Sequence, residues 1–425
     1  MSPRIAVGIG IVWLGAVGCG RPALQVERLE TPVAGAGAHS ADPALGVDPG
    51  SGELVMGWVE GDGKVWTLYA SRSADAGGTW SSPVKVAGGA ESPEEVHPHG
   101  ESSPRLVIAP GNRRALIWPN SVTVPGRKWP ATLLRFSRSQ DGGQTWSAPT
   151  TLNDDTTAAP VSHQFHGAAW VGDSGIAVAW LDERDVAAPV AAGAEGHTEH
   201  ASEPDATIYY TTSEDFGRSW APNRAGWKEA CPCCRVTLAR DRNGEAVAAW
   251  RKHYPGDVRD VVTTLLSDEA AQPERVHQDD WAYPGCPHTG PAIATGADGS
   301  SHVVWYNGKA GSAGVYYAKV TASGERSRPV GLVTGTRVGA AHAAVEPLGD
   351  GGALTAYDLT ENGDRRISVA RVLAAGSLGE RLEVPGSEGG KYPQLAVLGD
   401  TTAVVAWTAT LGDRSELRLA RIDPR

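Results

Sequence analysis

The sequence predicts an all-β protein, specifically a β-propeller of four-stranded antiparallel blades. Three observations carry this prediction: a turn motif that occurs three times, an apolar run ending in an aromatic residue that occurs seven times, and no helical periodicity after residue 20. A chain of 425 residues would ordinarily form two or more domains. A ring of repeated blades is an exception, because it grows by adding units rather than by enlarging one core.

The turn motif has the form S-x-D-x-G-x-[ST]-W and follows strand-like segments. An Asp in a tight turn accepts hydrogen bonds from backbone N–H groups, and the following Gly permits a positive φ. The Trp packs beneath the hairpin. We therefore expect the three Asp residues to build turns between the third and fourth strands and not to be catalytic: Asp75, Asp141 and Asp215, in segments 73–80, 139–146 and 213–220.

The seven apolar runs predict the second strand of each blade. They end at Trp58, Trp118, Trp180, Trp250, Trp305, Tyr357 and Trp407. The last unit has sequence for only three strands, and segment 24–29 is an unassigned strand near the N-terminus. We expect this segment to supply the missing outer strand and close the ring, which removes an open sheet edge. Seven blades is the predicted number, with six as the alternative.

The N-terminus resembles an export signal. Arg4 precedes an apolar run over residues 5–17, and Ala16-Val17-Gly18-Cys19 resembles the bacterial lipobox, in which the Cys becomes lipidated. We expect an exported protein attached to a bacterial membrane by lipid alone, either periplasmic or on the cell surface; a plain signal peptide is the alternative. The predicted divisions are 1–19 for the signal, 20–38 for a tail with the closing strand, and 39–425 for the propeller. The net charge of −11 argues against a nucleic-acid partner.

Histidine and other polar residues concentrate in the links between blades and in the loops between second and third strands. In a propeller these segments share the face opposite the turn motifs, where ligands bind near the axis. We therefore assign a candidate ligand face to His97, His99, His163, His166, Arg251, His253, Tyr283 and His288. A long Ala/Gly-rich insertion on the same face carries His197 and His200.

Four further cysteines open two consecutive blades. They are Cys231, Cys233, Cys234 and Cys286. In an oxidising compartment we expect a disulfide between Cys286 and one of the other three, and the sequence leaves that partner open. The alternative is a copper or zinc site in which His288 joins the thiolates, since mixed Cys/His sets suit those metals.

The repeated turns, known as Asp-boxes, resemble those of BNR-repeat propellers, and together with the signal segment they resemble bacterial sialidases. The resemblance implies three arginines clamping a substrate carboxylate, a Tyr nucleophile assisted by a Glu, and an Asp acid/base. The family's early Arg-Ile-Pro motif is absent after the signal segment. The positions that could substitute are Arg105, Arg235 and Arg337 for the clamp, Tyr392 for the nucleophile, and Asp182 and Glu183 as loop carboxylates.

The functional hypothesis is therefore an exported sialidase-like propeller that binds or processes a glycan or another small extracellular ligand, without a cofactor. A copper- or zinc-binding propeller and a non-catalytic interaction scaffold are the alternatives.

Overall fold

Four consecutive strands form each blade, and seven blades form a closed ring. The computed structural model describes residues 24–424 except 36, 128, 158, 187–203, 269–270, 336–337 and 362. The seven four-stranded antiparallel sheets confirm the predicted fold and the predicted number of blades. Within the described residues the only helical segment is a 3-10 turn at Gly100–Ser102, and none is long and apolar enough to cross a membrane.

The first three blades have these strands. Blade 1 contains β2 (His39–Val47), β3 (Leu54–Gly61), β4 (Trp66–Ser73) and β5 (Val84–Gly88). Blade 2 contains β6 (Arg105–Ala109), β7 (Arg113–Val122), β8 (Ala131–Ser139) and β9 (Thr150–Thr151). Blade 3 contains β10 (His163–Val171), β11 (Gly175–Asp182), β12 (Thr207–Ser213) and β13 (Arg224–Ala225).

The next three blades repeat the pattern. Blade 4 contains β14 (Thr237–Arg240), β15 (Ala246–Tyr254), β16 (Val258–Leu265) and β17 (Glu274–Arg275). Blade 5 contains β18 (Ala292–Thr295), β19 (Ser301–Asn307), β20 (Gly314–Val320) and β21 (Val330–Thr334). Blade 6 contains β22 (Ala343–Pro347), β23 (Ala353–Glu361), β24 (Asp364–Val372) and β25 (Leu378–Glu383).

Blade 7 joins the two ends of the chain. Its strands are β26 (Gly390–Leu398), β27 (Thr402–Leu411), β28 (Arg414–Asp423) and, as the outer strand, β1 (Gln25–Leu29). The register pairs Gln25 with Asp423 and Leu29 with Leu419. The predicted closing strand is confirmed, and the third strand of the last blade gains a partner instead of ending in an open edge.

The apolar core lies between blades rather than inside one. Seven clusters of buried side chains occupy the seven interfaces between neighbouring blades. The aromatic residue that ends each second-strand run is at most 1% exposed. These are the residues that the repeat predicted: Trp58, Trp118, Trp180, Trp250, Trp305, Tyr357 and Trp407.

The Asp-boxes form the turns between third and fourth strands, as expected. In the first, Asp75 Oδ1 accepts the Thr79 N–H at 2.8 Å, and Gly77 has a φ of +86°. The local hydrogen bonds hold the pKa of Asp75 and Asp141 at about 2 and that of Asp215 below its usual range. Each of these carboxylates is therefore already hydrogen-bonded within its own turn.

Candidate functional site

The inter-blade links converge on the face opposite the Asp-boxes. There the link backbones pair with the ends of second strands or the starts of third strands, as in the bridges Val96–Asn120 and Ala230–Lys252. The inner strands line the ring axis, so their first residues surround the mouth of the central channel. The site therefore has to be built from these links and first residues.

Residues 97–103, which we call the axial plug, reach across the channel mouth. The plug holds the 3-10 turn, and its Glu101 is 1% exposed. Glu101 Oε1 accepts the Arg235 N–H at 3.2 Å and also the Gly290 N–H, so one carboxylate joins blades 4 and 5 to the link that opens blade 2. Glu101 Oε2 lies 3.5 Å from the Arg235 guanidinium. Hydrogen bonds to a charged group in a dry setting are the strong ones.

Three inner strands carry the same backbone irregularity where they meet the plug. Asp42 in β2, Phe165 in β10 and Tyr392 in β26 have φ between +53° and +56°, each within a β-bulge. Left-handed backbone is costly for Phe and Tyr, and such strain persists where surrounding contacts enforce it. Bulges re-aim side chains and cluster near functional sites. Because three strands carry the same bulge around the plug, we take the plug face as the candidate functional site.

Each left-handed residue is fixed through its own N–H. The N–H of Asp42 donates to Thr408 Oγ1 at 2.9 Å, that of Phe165 to Ser102 Oγ at 2.8 Å, and that of Tyr392 to Asp358 Oδ2 at 3.0 Å. In each case the acceptor comes from another blade or from the plug. The bulges are therefore held by contacts across blade boundaries.

His342 and Asp358 form a buried pair beneath Tyr392. His342 Nδ1 lies 2.8 Å from Asp358 Oδ2, and the rings of His342 and Tyr392 are 4.1 Å apart. Burial opposes ionisation of Asp358, yet His342 and Arg365 hold the pKa of this carboxyl well below its usual range. Burial and the nearby carboxylates of Glu101 and Asp358 raise the pKa of the Tyr392 phenol. Tyr392 is therefore a neutral hydrogen-bond donor at neutral pH.

An open groove of about 510 Å³ lies beside the plug, between blades 7 and 1. We call it the axial groove. Asp42, Trp66 and Tyr392 line it together with Lys391 and Arg414. Asp42 is 3% exposed, and burial raises its pKa to about 6 although its carboxylate accepts the His99 N–H. The groove thus combines aromatic side chains, two cations and two carboxyl groups, Asp42 and Asp413, of which Asp42 titrates near pH 6.

A second cavity of about 250 Å³ lies between blades 1 and 2 and includes part of the second Asp-box. Its one buried charge, Arg114, donates to Gly142 O and to Glu53 at 2.9 Å. Because the Arg114 guanidinium is already bound to oxygens of the protein, we take the axial groove as the better candidate ligand site.

The four cysteines occupy the same face at the starts of blades 4 and 5. A disulfide joins Cys286 to Cys233, which identifies the partner that the sequence left open. Cys231 and Cys234 are reduced and buried, with their Sγ atoms 3.2 Å apart. His288 lies close enough to Cys233 and Cys286 to share a ligand with them. The disulfide, however, takes two of the four sulfurs out of the thiolate form that copper or zinc requires.

The sequence of this propeller matches the model of one protein family. The model of the BNR repeat-like domain matches residues 52–288, which is more than half of the chain. The chain belongs to the BNR repeat-like domain family. This agrees with the predicted sialidase-like, Asp-box resemblance, and no curated protein matches the sequence.

Solved structures share the fold of this BNR-repeat propeller at low identity. A protein of unknown function from Dyadobacter fermentans is 14% identical, with a TM-score of 0.52, and the match covers 94% of this chain and 99% of that one. An ulvan lyase, described as a polysaccharide lyase bound to -[GlcA(1-4)Rha3S]-, is 11% identical, with a TM-score of 0.58 and coverage of 92% and 95%. Identities this low show likeness of fold alone.

Two arginines proposed for the carboxylate clamp lie on this face of the BNR-repeat propeller. Arg105 donates to His166 O at 3.1 Å and to Ser103 Oγ at 3.0 Å. Arg235 is 3% exposed and donates to the carbonyls of Pro291 and Ala343. Their guanidinium groups stabilise the protein beneath the plug, so the structure places no arginine pair in an open clamp there. Arg337 lies outside the described residues.

The loop carboxylates proposed for chemistry have structural partners. Asp182 is fully buried and is bound by His163 at 2.9 Å, Trp180 at 2.7 Å and Arg184. Glu183 pairs with Arg127 at 3.0 Å. The Asp182 contacts lie in blade 3, the Glu183 pair joins blade 3 to the Arg127 loop of blade 2, and neither carboxylate lines the axial groove.

The proposed ligand-face residues separate into exposed and structural ones. His97, His99 and Tyr283 are exposed, and the His288 carbonyl accepts from His342 Nε2 at 2.9 Å. His166 is fully buried, which lowers its pKa to about 3.

Arg251 is 1% exposed and donates hydrogen bonds to three carbonyls of links and strands, while His253 pairs with Asp205 at 2.6 Å. Cys19, His197 and His200 lie outside the described residues.

Sequence reasoning missed four residues that organise the site: Asp42, Glu101, His342 and Asp358. One signal was available for one of them. Asp42-Pro43 and Tyr392-Pro393 occupy matching places in the first and last inner strands, so alignment of the blades would have drawn attention to Asp42. Glu101 gives no such signal, because its partners are 134 and 189 residues away.

Proposed function

We propose that this chain binds an acidic oligosaccharide in the axial groove and does so as an exported protein attached to a membrane through Cys19. The observation that supports it most is the groove itself, in which two left-handed residues, Asp42 and Tyr392, stand beside two cationic side chains. Ligand sites are concave and mostly apolar with a few fixed polar groups, and this groove has that character.

Two cationic side chains of the groove are available to an anionic ligand, beside the carboxyl groups of Asp42 and Asp413. Lys391 makes no ion pair with any residue in the described part of the chain, and the Arg414 side chain is 57% exposed, with Glu416 3.9 Å away. The chain as a whole carries a charge of −11, and in the groove Lys391 and Arg414 are matched in number by Asp42 and Asp413. The exposed Arg414 guanidinium, rather than net charge, is therefore the group that would hold an anion. Carboxylate and sulfate groups accept bidentate hydrogen bonds from a guanidinium.

Two aromatic rings, one buried and one partly exposed, form part of the groove wall that a sugar would contact. Trp66 is 8% exposed and lies 5.9 Å from the His39 ring, and the Tyr392 ring packs on Gly100 at the groove floor. Aromatic rings offer apolar faces with polar edges, which match the alternating C–H and O–H surface of a saccharide. The ulvan lyase of like fold is described as bound to a sulfated, uronic-acid-containing sugar, which supports the same ligand class here.

The direct test is calorimetric titration of the chain with acidic and neutral oligosaccharides of equal length. We expect binding to sulfated or uronic-acid sugars only, with Lys391→Met and Arg414→Gln each weakening it about tenfold, equivalent to ~1.4 kcal/mol. Arg218→Gln, an exposed cation on the Asp-box face, is the matched control and should change nothing. Equal affinity for neutral sugars, or full affinity in the groove variants, would refute the proposal.

Processing of the bound sugar is tested on the same preparations. Asp42 is the groove carboxyl with a pKa near neutrality, so it is the group that could transfer a proton at the sugar. Turnover of a fluorogenic sialoside and cleavage of acidic polysaccharides are both measured. Loss of turnover with retained binding in Asp42→Asn would assign it a catalytic role, and no turnover across the panel would leave a binding protein.

Membrane attachment is tested separately. Cys19→Ser should move the chain from the membrane fraction to the soluble exported fraction of a bacterium that expresses it. Retention of that variant in the membrane fraction would contradict the lipid anchor.

A further inference from the structure

The four cysteines form a cluster in which a reduced pair touches an oxidised pair. Cys233 and Cys286 form the disulfide that joins the start of blade 4 to the start of blade 5. The reduced Cys231 lies with its Sγ 3.2 Å from Cys234 Sγ and 4.0 Å from Cys286 Sγ. Cys231 is therefore placed to reach either sulfur with a small movement.

We propose that this four-sulfur cluster is a thiol–disulfide exchange site that delivers two electrons from the buried Cys231 and Cys234 thiols to a low-molecular-mass disulfide substrate, through Cys286. The site is separate from the axial groove and does not depend on sugar binding.

The exchange balances as four successive thiol–disulfide exchange steps. The Cys231 thiolate attacks Cys286 Sγ, forms a Cys231–Cys286 bond and expels the Cys233 thiolate. Cys234 gives up its proton, attacks Cys231 Sγ and expels the Cys286 thiolate, which leaves a Cys231–Cys234 disulfide. The Cys286 thiolate then attacks the substrate disulfide, and Cys233 resolves the mixed disulfide. The Cys233–Cys286 bond is restored, and both substrate halves leave as thiols carrying the two protons from Cys231 and Cys234.

The charges around Cys231 favour a nucleophile over a metal ligand. Arg259 Nη1 donates to Cys231 Sγ at 3.3 Å, and Arg259 Nε is held by Tyr283 O at 2.9 Å. A fixed guanidinium stabilises a thiolate and makes it the attacking sulfur. The same positive charge repels a metal cation from that sulfur, which disfavours the copper or zinc alternative.

We assign Cys286 as the cysteine that reacts with the external substrate, because it is the most exposed of the four. Cys231, Cys233 and Cys234 are 0%, 3% and 1% exposed, whereas Cys286 is 6% exposed. Residues 282–284, just before Cys286, are exposed on the plug face. All four cysteines are buried, and Cys286 is the one that we assign to react with an external disulfide because it follows the exposed residues 282–284.

The test follows disulfide connectivity in the full chain. The chain is first equilibrated in a dithiothreitol buffer that leaves one disulfide in each molecule. It is then mixed with glutathione disulfide, and the reaction is quenched with an alkylating agent. We expect two glutathione thiols released per chain and, by peptide mapping, the bonds Cys231–Cys234 and Cys233–Cys286.

Variants separate exchange from simple oxidation. Cys234→Ser should trap the Cys231–Cys286 bond, because the second attack is missing, whereas Cys231→Ser should keep only Cys233–Cys286. Arg259→Gln should slow release about tenfold or more, and Arg259→Lys should recover most of the rate, because the charge supports the thiolate. Circular dichroism of each variant shows that the ring is intact.

Three results would overturn the proposal. The first is a Cys234→Ser chain that never forms Cys231–Cys286. The second is release of glutathione thiol at an unchanged rate from Cys286→Ser. The third is a purified chain with four free thiols and one equivalent of bound copper or zinc, which would establish the metal site instead.

Discussion

Replacing Asp42 by Asn should raise the free energy of unfolding relative to the unaltered chain. This stabilisation should be larger at neutral pH than at acidic pH. Asp42 is 3% exposed, and burial raises its pKa from 3.8 to about 6. Below about pH 4 the carboxyl is protonated in both folded and unfolded chains. Between about pH 4 and pH 6 the unfolded chain ionises first, so stability falls as pH rises. Above about pH 6 the folded chain carries the full cost of a buried carboxylate.

The size of this effect follows from the shift in pKa. A difference of about 2 pKa units is equivalent to about 3 kcal/mol, at roughly 1.4 kcal/mol per unit. Asn keeps an oxygen that can accept the His99 N–H, and it tolerates the φ of +55° at this position. The side chain therefore loses its charge with little other change.

The assay is equilibrium urea unfolding of both chains at several pH values from 4 to 8. The difference in free energy of unfolding, Asp42→Asn minus the unaltered chain, should rise by about 3 kcal/mol across that range, and taking the difference cancels the other titrating groups. Asp75→Asn is the control: the pKa of Asp75 is lowered to about 2, so its stabilising effect is present above about pH 4 and is lost only as pH falls toward 2. A difference for Asp42→Asn that stays flat or falls between pH 4 and pH 8 would refute the reasoning.

Three further predictions concern the groove and the ring. Lowering the pH through about 6 should strengthen binding of a sulfated tetrasaccharide in calorimetry, because Asp42 loses its negative charge, and Asp42→Asn should abolish that pH dependence; a persisting dependence would assign it to another group. Gly100→Ala should destabilise the plug by about 1–3 kcal/mol in urea unfolding. The reason is that its new Cβ would lie 2.0 Å from the Tyr392 ring, and Tyr392→Ala in the same chain should restore most of the loss, whereas purely additive effects would disprove the contact. Leu29→Ala on the closing strand should cost about 2–4 kcal/mol in thermal or urea unfolding. Val33→Ala, at a side chain that is 59% exposed, should be near neutral, and equal losses would contradict ring closure by β1.

The fold was predictable because its determinants are local and repeated. The Asp-box needs only eight consecutive residues, since Ser73, Asp75 and Thr79 bond one another within one turn. The run ending in an aromatic residue recurs once per blade because each interface needs one large buried ring. A signal repeated this often indicates strand order and favours seven blades over six without any long-range information.

The candidate site was predictable in position but not in composition. The strand order alone assigned the inter-blade links to one face, and the links do converge there. The roles of single residues depended on partners from other blades, such as Glu101 bonding Arg235 and Gly290. For the same reason Arg235, a candidate clamp in sequence, is a buried structural group in space.

The sequence by itself therefore determined the ring, the Asp-box turns and the face on which the inter-blade links converge, because each rests on contacts between near neighbours or on a repeat. Closure by β1 followed from the strand count, because the last unit lacks a fourth strand and the N-terminal segment is unassigned. Only the tertiary structure decided that Cys286 pairs with Cys233, that Cys231 remains as a thiol beside that bond, and that Asp42 and Tyr392 share one groove. In a closed ring the first and last blades are neighbours. Side chains 350 residues apart in sequence therefore meet, and no local pattern records which of them do.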